Sequence, residues 1–122
     1  MVSAIVTKRA EGRTSTATRV KEALAEAREA SAAKDGKRAA SAVERAIVVA
    51  VEGATGLKLR GLLREEIAPA LGREGLDAVT AEAIADLLSV CDEWRFVPGE
   101  APPSDPVAQA IVLTKDLARR RS

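Results

Sequence analysis

Few groups in this chain are able to do chemistry: one thiol, Cys91; two adjacent acidic pairs, Glu65-Glu66 and Asp92-Glu93; and two glycine-bracketed stretches, Gly53-Ala54-Thr55-Gly56 and Gly72-Arg73-Glu74-Gly75. A thiol becomes a nucleophile when a neighbouring base or positive charge favours the thiolate. The chain contains no His, which removes triads and Cys–His pairs. Cys91 follows Ile84, Leu87 and Leu88 at helical spacing and reads as a small buried hydrophobe, with Asp92 and Glu93 raising its pKa. Neighbouring carboxylates on a helix point about 100° apart, so both acidic pairs read as solvated faces, not as an acid/base dyad. Neither glycine-bracketed stretch has the lysine and preceding strand of a phosphate-binding loop. One Cys without His allows no intrachain disulfide and none of the usual zinc, haem or iron–sulfur ligand sets. The chain is therefore expected to be non-enzymatic, with no catalytic residue, cofactor or metal.

A length of 122 residues fits one domain able to bury a core without staples. With 47% hydrophobic and 30% charged residues the composition is that of a soluble globular chain, and no apolar run approaches the roughly 20 residues of a membrane span. Aromatic content is only 2%, so the core must come from Ala, Val, Leu and Ile on closely spaced helices. Net charge is +1 but unevenly spread. Basic residues concentrate at the ends, Lys8, Arg9, Arg13, Arg19 and Lys21 against Glu11, and Lys115, Arg119, Arg120 and Arg121 against Asp116, which leaves the middle acidic. At the C-terminus, complementing a helix dipole explains the arginines without any partner.

The expected fold is all-α, a small bundle of about five helices built from antiparallel hairpins, one of them tetratricopeptide-like. Residues 1–18 read as a flexible basic segment, either a frayed terminus or the cytoplasmic edge of a membrane anchor, ahead of a single helical domain over 19–122. The first helix runs from about Thr18 to Ala33 with Val20, Leu24, Ala27 and Ser31 inward. Lys34-Asp35-Gly36 breaks it, and Asp35 caps the next, whose Ala39, Ala42, Val43, Ala46, Ile47, Ala50 and Val51 form the clearest apolar face. Gly53 and Gly56 close that helix. A third helix over about Leu62 to Gly72 contains Pro69, so it is kinked or starts late. The fourth, capped by Thr80, runs to about Arg95, and Val97-Pro98-Gly99 halts it. Pro98, Pro102 and Pro103 impose an extended link, and Ser104-Asp105-Pro106 starts a fifth helix ending in Arg119-Arg120-Arg121.

From Val20 to Gly99 the order of parts resembles a known family. Ala33-Lys34-Asp35 precedes the long apolar helix; Leu62-Leu63-Arg64-Glu65-Glu66-Ile67, Gly75-Leu76, Leu87-Leu88 and Cys91-Asp92 to Arg95-Phe96-Val97-Pro98-Gly99 follow. This looks like the cytoplasmic C-terminal tail of the aerotolerance protein BatD family, with Cys-Asp-x-x-Arg-Phe-x-Pro-Gly its most specific piece. The resemblance implies a membrane-anchored parent encoded beside MoxR-type ATPases and von Willebrand factor A proteins, associated with oxidative-stress tolerance and envelope assembly, with no catalytic residues to carry over. The chain departs from the family by lacking the extracytoplasmic domains and the span.

The function expected on this reading is protein docking at the inner face of the inner membrane, with a MoxR-type ATPase or a von Willebrand factor A protein as partner. The candidate contacts are Asp92, Glu93, Trp94, Arg95 and Phe96, since Trp and Arg are enriched at interface hot spots. The competing role for Trp94 and Phe96, the only Trp and Phe in the chain, is to clamp the following loop against their helix. The alternative function is binding of nucleic acid or anionic membrane through Lys8, Arg9, Arg13, Arg119, Arg120 and Arg121. Few aromatics for stacking and an acidic middle weigh against nucleic acid. An exposed apolar face is also compatible with a homo-oligomer.

Overall fold

The computed structural model describes the backbone of residues 2–96 and 105–121, and the side chains of 16–96 and 105–120. Five α-helices make up the described chain: α1 Val2–Ala32, α2 Gly36–Thr55, α3 Arg64–Arg73, α4 Ala78–Phe96 and α5 Pro106–Arg121, with a single 3₁₀ turn at Leu59–Gly61. No strand occurs among the described residues. The expected all-α fold is the one observed. The link carrying Val97, Pro98, Gly99, Pro102, Pro103 and Ser104 lies outside the described residues.

Helix starts follow local chemistry. Asp35 caps α2 by accepting from the Arg38 N–H at 3.2 Å, and Asp105 caps α5 by accepting from the Val107 and Ala108 N–H groups, with Pro106 first in the helix. The α4 cap differs from expectation. Asp77, not Thr80, precedes the helix, and its carboxylate accepts from both the N–H and the hydroxyl of Thr80 at 3.2 and 3.1 Å. Thr80 is thus the third residue of α4, donating to the cap. The third helix starts later than the expected Leu62, at Arg64. Leu63 stands before it, 63% exposed, and donates its N–H to the Glu66 carboxylate at 2.9 Å. Only that half of a capping box forms, because leucine has no side-chain acceptor. Pro69 is the sixth residue of this short helix, so one i+4 donor is missing there.

Helix ends use left-handed residues. At the end of α1, Asp35 N–H donates to the Ala30 carbonyl and Lys34 N–H to the Ser31 carbonyl, the paired bonds of a Schellman motif, with Lys34 at φ 60°. The break thus falls within the expected Lys34-Asp35-Gly36, with Lys34 taking the left-handed position. Gly75, at φ 97°, closes α3 in the same way, with Leu76 N–H reaching the Leu71 carbonyl.

The topology follows from which ends meet. Glu26 of α1 pairs with Arg45 and Arg38 of α2, which makes α1 and α2 an antiparallel hairpin. Trp94, near the end of α4, meets Gly36 at the start of α2, and Arg120, near the end of α5, pairs with Asp77 at the start of α4. Helix α2 therefore lies at the centre, packed against α1, α4 and α5, with α3 laid on α4. Its Ala39, Ala42, Val43, Ala46, Ile47, Ala50 and Val51 are all buried, as their spacing predicts. On α1 the inward stripe is Ala23, Ala27 and Ala30, an i, i+4, i+7 set of small residues that brings the two helices close. The expected Val20 and Leu24 are only half-buried and Ser31 is exposed. Helix α1 has 31 residues and α2 has 20, so the early turns of α1, which begin at Val2 rather than near Thr18, run on past the end of α2.

Candidate protein-docking surface

Three helices meet at a charged clamp. Arg64, the first residue of α3, donates from Nε to Asp92 Oδ2 at 2.7 Å and from Nη2 to Asp92 Oδ1 at 2.9 Å and to Glu44 Oε2 at 2.8 Å. Glu44, on α2, accepts from Arg95 Nη2 through its other oxygen at 2.5 Å. Arg95 Nη1 lies 3.7 Å from Asp92, closing the ring. The planar guanidinium of Arg64 matches the Asp92 carboxylate in a two-pronged pair, so α3 and α4 are fixed in orientation as well as distance. That pairing holds the Asp92 carboxyl below the usual range and raises Arg64 further above its own. Asp92 is thus not a solvated helix face, as the sequence suggested, but an ion-paired one. Arg95 is three-quarters covered, and its solvent-shielded Nε meets no acceptor among the described residues.

Trp94 and Phe96 part company at this helix end. Trp94 continues the buried stripe of Leu87, Leu88 and Cys91 and is 7% exposed, whereas Phe96, about 200° further round, is 84% exposed. The Trp94 indole packs on Gly36, so it locks the start of α2; the loop that Trp94 and Phe96 were expected to clamp lies outside the described residues. Cys91 is fully buried; burial first, then Glu44, pushes its thiol up to about 12, so it is neutral and shielded. Glu93 is exposed beside Phe96.

Of the five expected contact residues, then, Glu93 and Phe96 face solvent, Asp92 and Arg95 belong to the clamp, and Trp94 is interior. Sequence reading overlooked Glu44, Arg64 and Gly36. A signal existed for Glu44: it interrupts α2 between Ala40 and Val48, one turn away on either side and both on the packed face. Nothing local pointed to Arg64 as its partner. A cleft of about 360 Å³ opens over the clamp, bordered by Val48, Leu62 and Leu63.

Of the expected basic contacts, the structure describes the side chains of Arg119 and Arg120. Arg119 is exposed, but Arg120 is paired with Asp116 at 3.2 Å and with Asp77. The side chains of Lys8, Arg9, Arg13 and Arg121 lie outside the described residues. No described helix is long and apolar enough to cross a membrane, and no group of His, Cys, Asp or Glu among the described residues is arranged to hold a metal.

No protein family, no curated protein and no solved structure matches this chain.

Proposed function

We propose that this chain is a non-enzymatic helical docking module whose contact point is the exposed end of α4. One observation carries the reading: Phe96, one of only two aromatic residues, stands 84% exposed on a helix turn held in place from behind by Trp94 on Gly36 and by Arg95 on Glu44. An exposed aromatic on a rigid helix end loses little side-chain freedom on binding, which is how aromatic anchors come to dominate interfaces. Glu93 beside it, exposed and outside the charge-balanced clamp, offers a carboxylate to a partner carrying arginine or lysine. The resemblance to the cytoplasmic tail of the BatD family supports a MoxR-type ATPase or a von Willebrand factor A protein as that partner, met at the cytoplasmic face of the inner membrane.

The test is titration calorimetry of the intact chain against each purified partner from the same organism. Phe96→Ala is expected to weaken binding by about thirtyfold, the scale of a hot-spot residue, with the urea midpoint unchanged because the side chain is exposed. Undiminished binding by Phe96→Ala moves the contact to another surface. Absence of binding by the intact chain to both partners rejects the partner assignment.

A further inference from the structure

A groove of about 240 Å³ runs between α1 and α5 with α2 as its floor, on a different face from the clamp. Its walls are almost wholly aliphatic: Val20 and Leu24 from α1, Ala50 from α2 and Leu117 from α5. Two lysines stand at its lips, Lys21 on α1 and Lys115 on α5, both exposed. Neither has an ion-pair partner among the described residues, although the acidic side chains Glu26, Glu44, Asp77, Asp92 and Asp116 are all paired with arginines. The groove exists because Val20 and Leu24, which the helical period would place in the core, are left half-buried when the smaller Ala23, Ala27 and Ala30 take the contact with α2.

We infer that this groove binds a fatty acid of medium chain length, its aliphatic tail against Val20, Leu24, Ala50 and Leu117 and its carboxylate between Lys21 and Lys115. The charge pattern selects the ligand: an apolar slot with two lysines at its rim complements a molecule that is apolar along its length and anionic at one end. The size selects the chain. A volume of 240 Å³ matches about eight water molecules at about 30 Å³ each; a methylene occupies similar space, so eight to ten carbons fill it. Small-molecule sites have this composition, mostly aliphatic with a few polar groups that orient the ligand.

The experiment is titration calorimetry of the full chain with hexanoate, octanoate, decanoate and decanol below their aggregation limits, with sedimentation equilibrium on the same samples. Affinity is expected to rise about fourfold per added methylene, the effect of burying one such group, up to about ten carbons. The Lys21→Ala, Lys115→Ala double variant, altered only at exposed positions, is expected to bind decanoate at least tenfold more weakly and decanol unchanged. No binding of decanoate by the intact chain overturns the inference, as does binding that is indifferent to both lysines. A dimer that the double variant abolishes, in a chain that ignores decanoate, assigns the groove to a second copy and overturns it as well.

Discussion

The indole of Trp94 occupies the space that a side chain at position 36 would need: a Cβ on Gly36 would lie 2.6 Å from Trp94 Nε1 and 3.0 Å from Cδ1. No left-handed backbone requires glycine there, since the positive-φ glycines are Gly56 and Gly75. Room is the reason. A residue of the α1–α2 junction and one near the end of α4, far apart in the chain, are thus matched in size.

Gly36→Ala should accordingly destabilise the fold by about 1–3 kcal/mol, the usual cost of overpacking, although alanine is the better helix former. Trp94→Ala should cost about 3–5 kcal/mol through the cavity it leaves. The two should not add. In a Trp94→Ala background Gly36→Ala should be close to neutral, and a double-mutant cycle by urea denaturation reads the coupling directly. Additive losses would mean that the two residues do not touch.

Glu44 is the shared acceptor of Arg64 and Arg95. Glu44→Ala leaves two partly covered guanidinium groups with less compensation, and the cost should exceed that of Glu26→Ala on the exposed face. Allowing for the solvent that still reaches the clamp, we expect about 1–2 kcal/mol for Glu44→Ala in equilibrium unfolding. Equal, small effects at both sites would show the clamp to be energetically idle.

Lys34 holds the left-handed position at the end of α1 that glycine normally takes. Lys34→Gly should relieve that strain and raise stability by about 0.5–1 kcal/mol, visible as a higher thermal midpoint. A lower midpoint would mean that the Lys34 side chain contributes more than its backbone costs.

Stability should be flat across neutral pH and fall on both sides. With no His, no side chain is expected to change charge between about pH 5 and 8. Asp92, lowered by Arg64, with Asp77 lowered by Thr80 and Glu26 by Arg45, stabilise the fold when ionised. That contribution is present above the unfolded values, roughly 4, and is lost as pH falls through the depressed folded ones. Cys91 has the opposite sense. Its raised folded value means that stability is present below the unfolded pKa of about 8.5 and lost as pH rises toward about 12. Urea midpoints measured from pH 2 to 11 should show this plateau, and Cys91→Ala should flatten the alkaline side alone. A decline between pH 5 and 8 would contradict it.

The helices and their caps were legible because they depend on neighbours in the chain. Asp35 and Asp105 cap the helices that follow them, and the α2 face is buried as its spacing predicts. The start of α1, at Val2 rather than near Thr18, was missed by several turns; the other errors were local: Asp77 for Thr80, Arg64 for Leu62, the Ala23 stripe for the Val20 one. The last was missed because the sequence ranks Val and Leu above Ala for burial, whereas a close helix pair admits only the small side chains. Even the split of the aromatics was readable, since Trp94 continues the spacing of Leu87 and Cys91 and Phe96 does not.

The sequence by itself determined that this protein is helical, where its helices end and where α2 and α5 begin, and that this chain supplies no histidine for catalysis. Those properties follow from hydrogen bonds and periodicity spanning four or so residues. Only the tertiary structure decided that Glu44, Arg64, Asp92 and Arg95 form one clamp, that Gly36 is a seat for Trp94, and that Lys21 and Lys115 share a groove. Each joins residues on different helices, and a helix's local spacing says which face turns inward but not which other helix it meets.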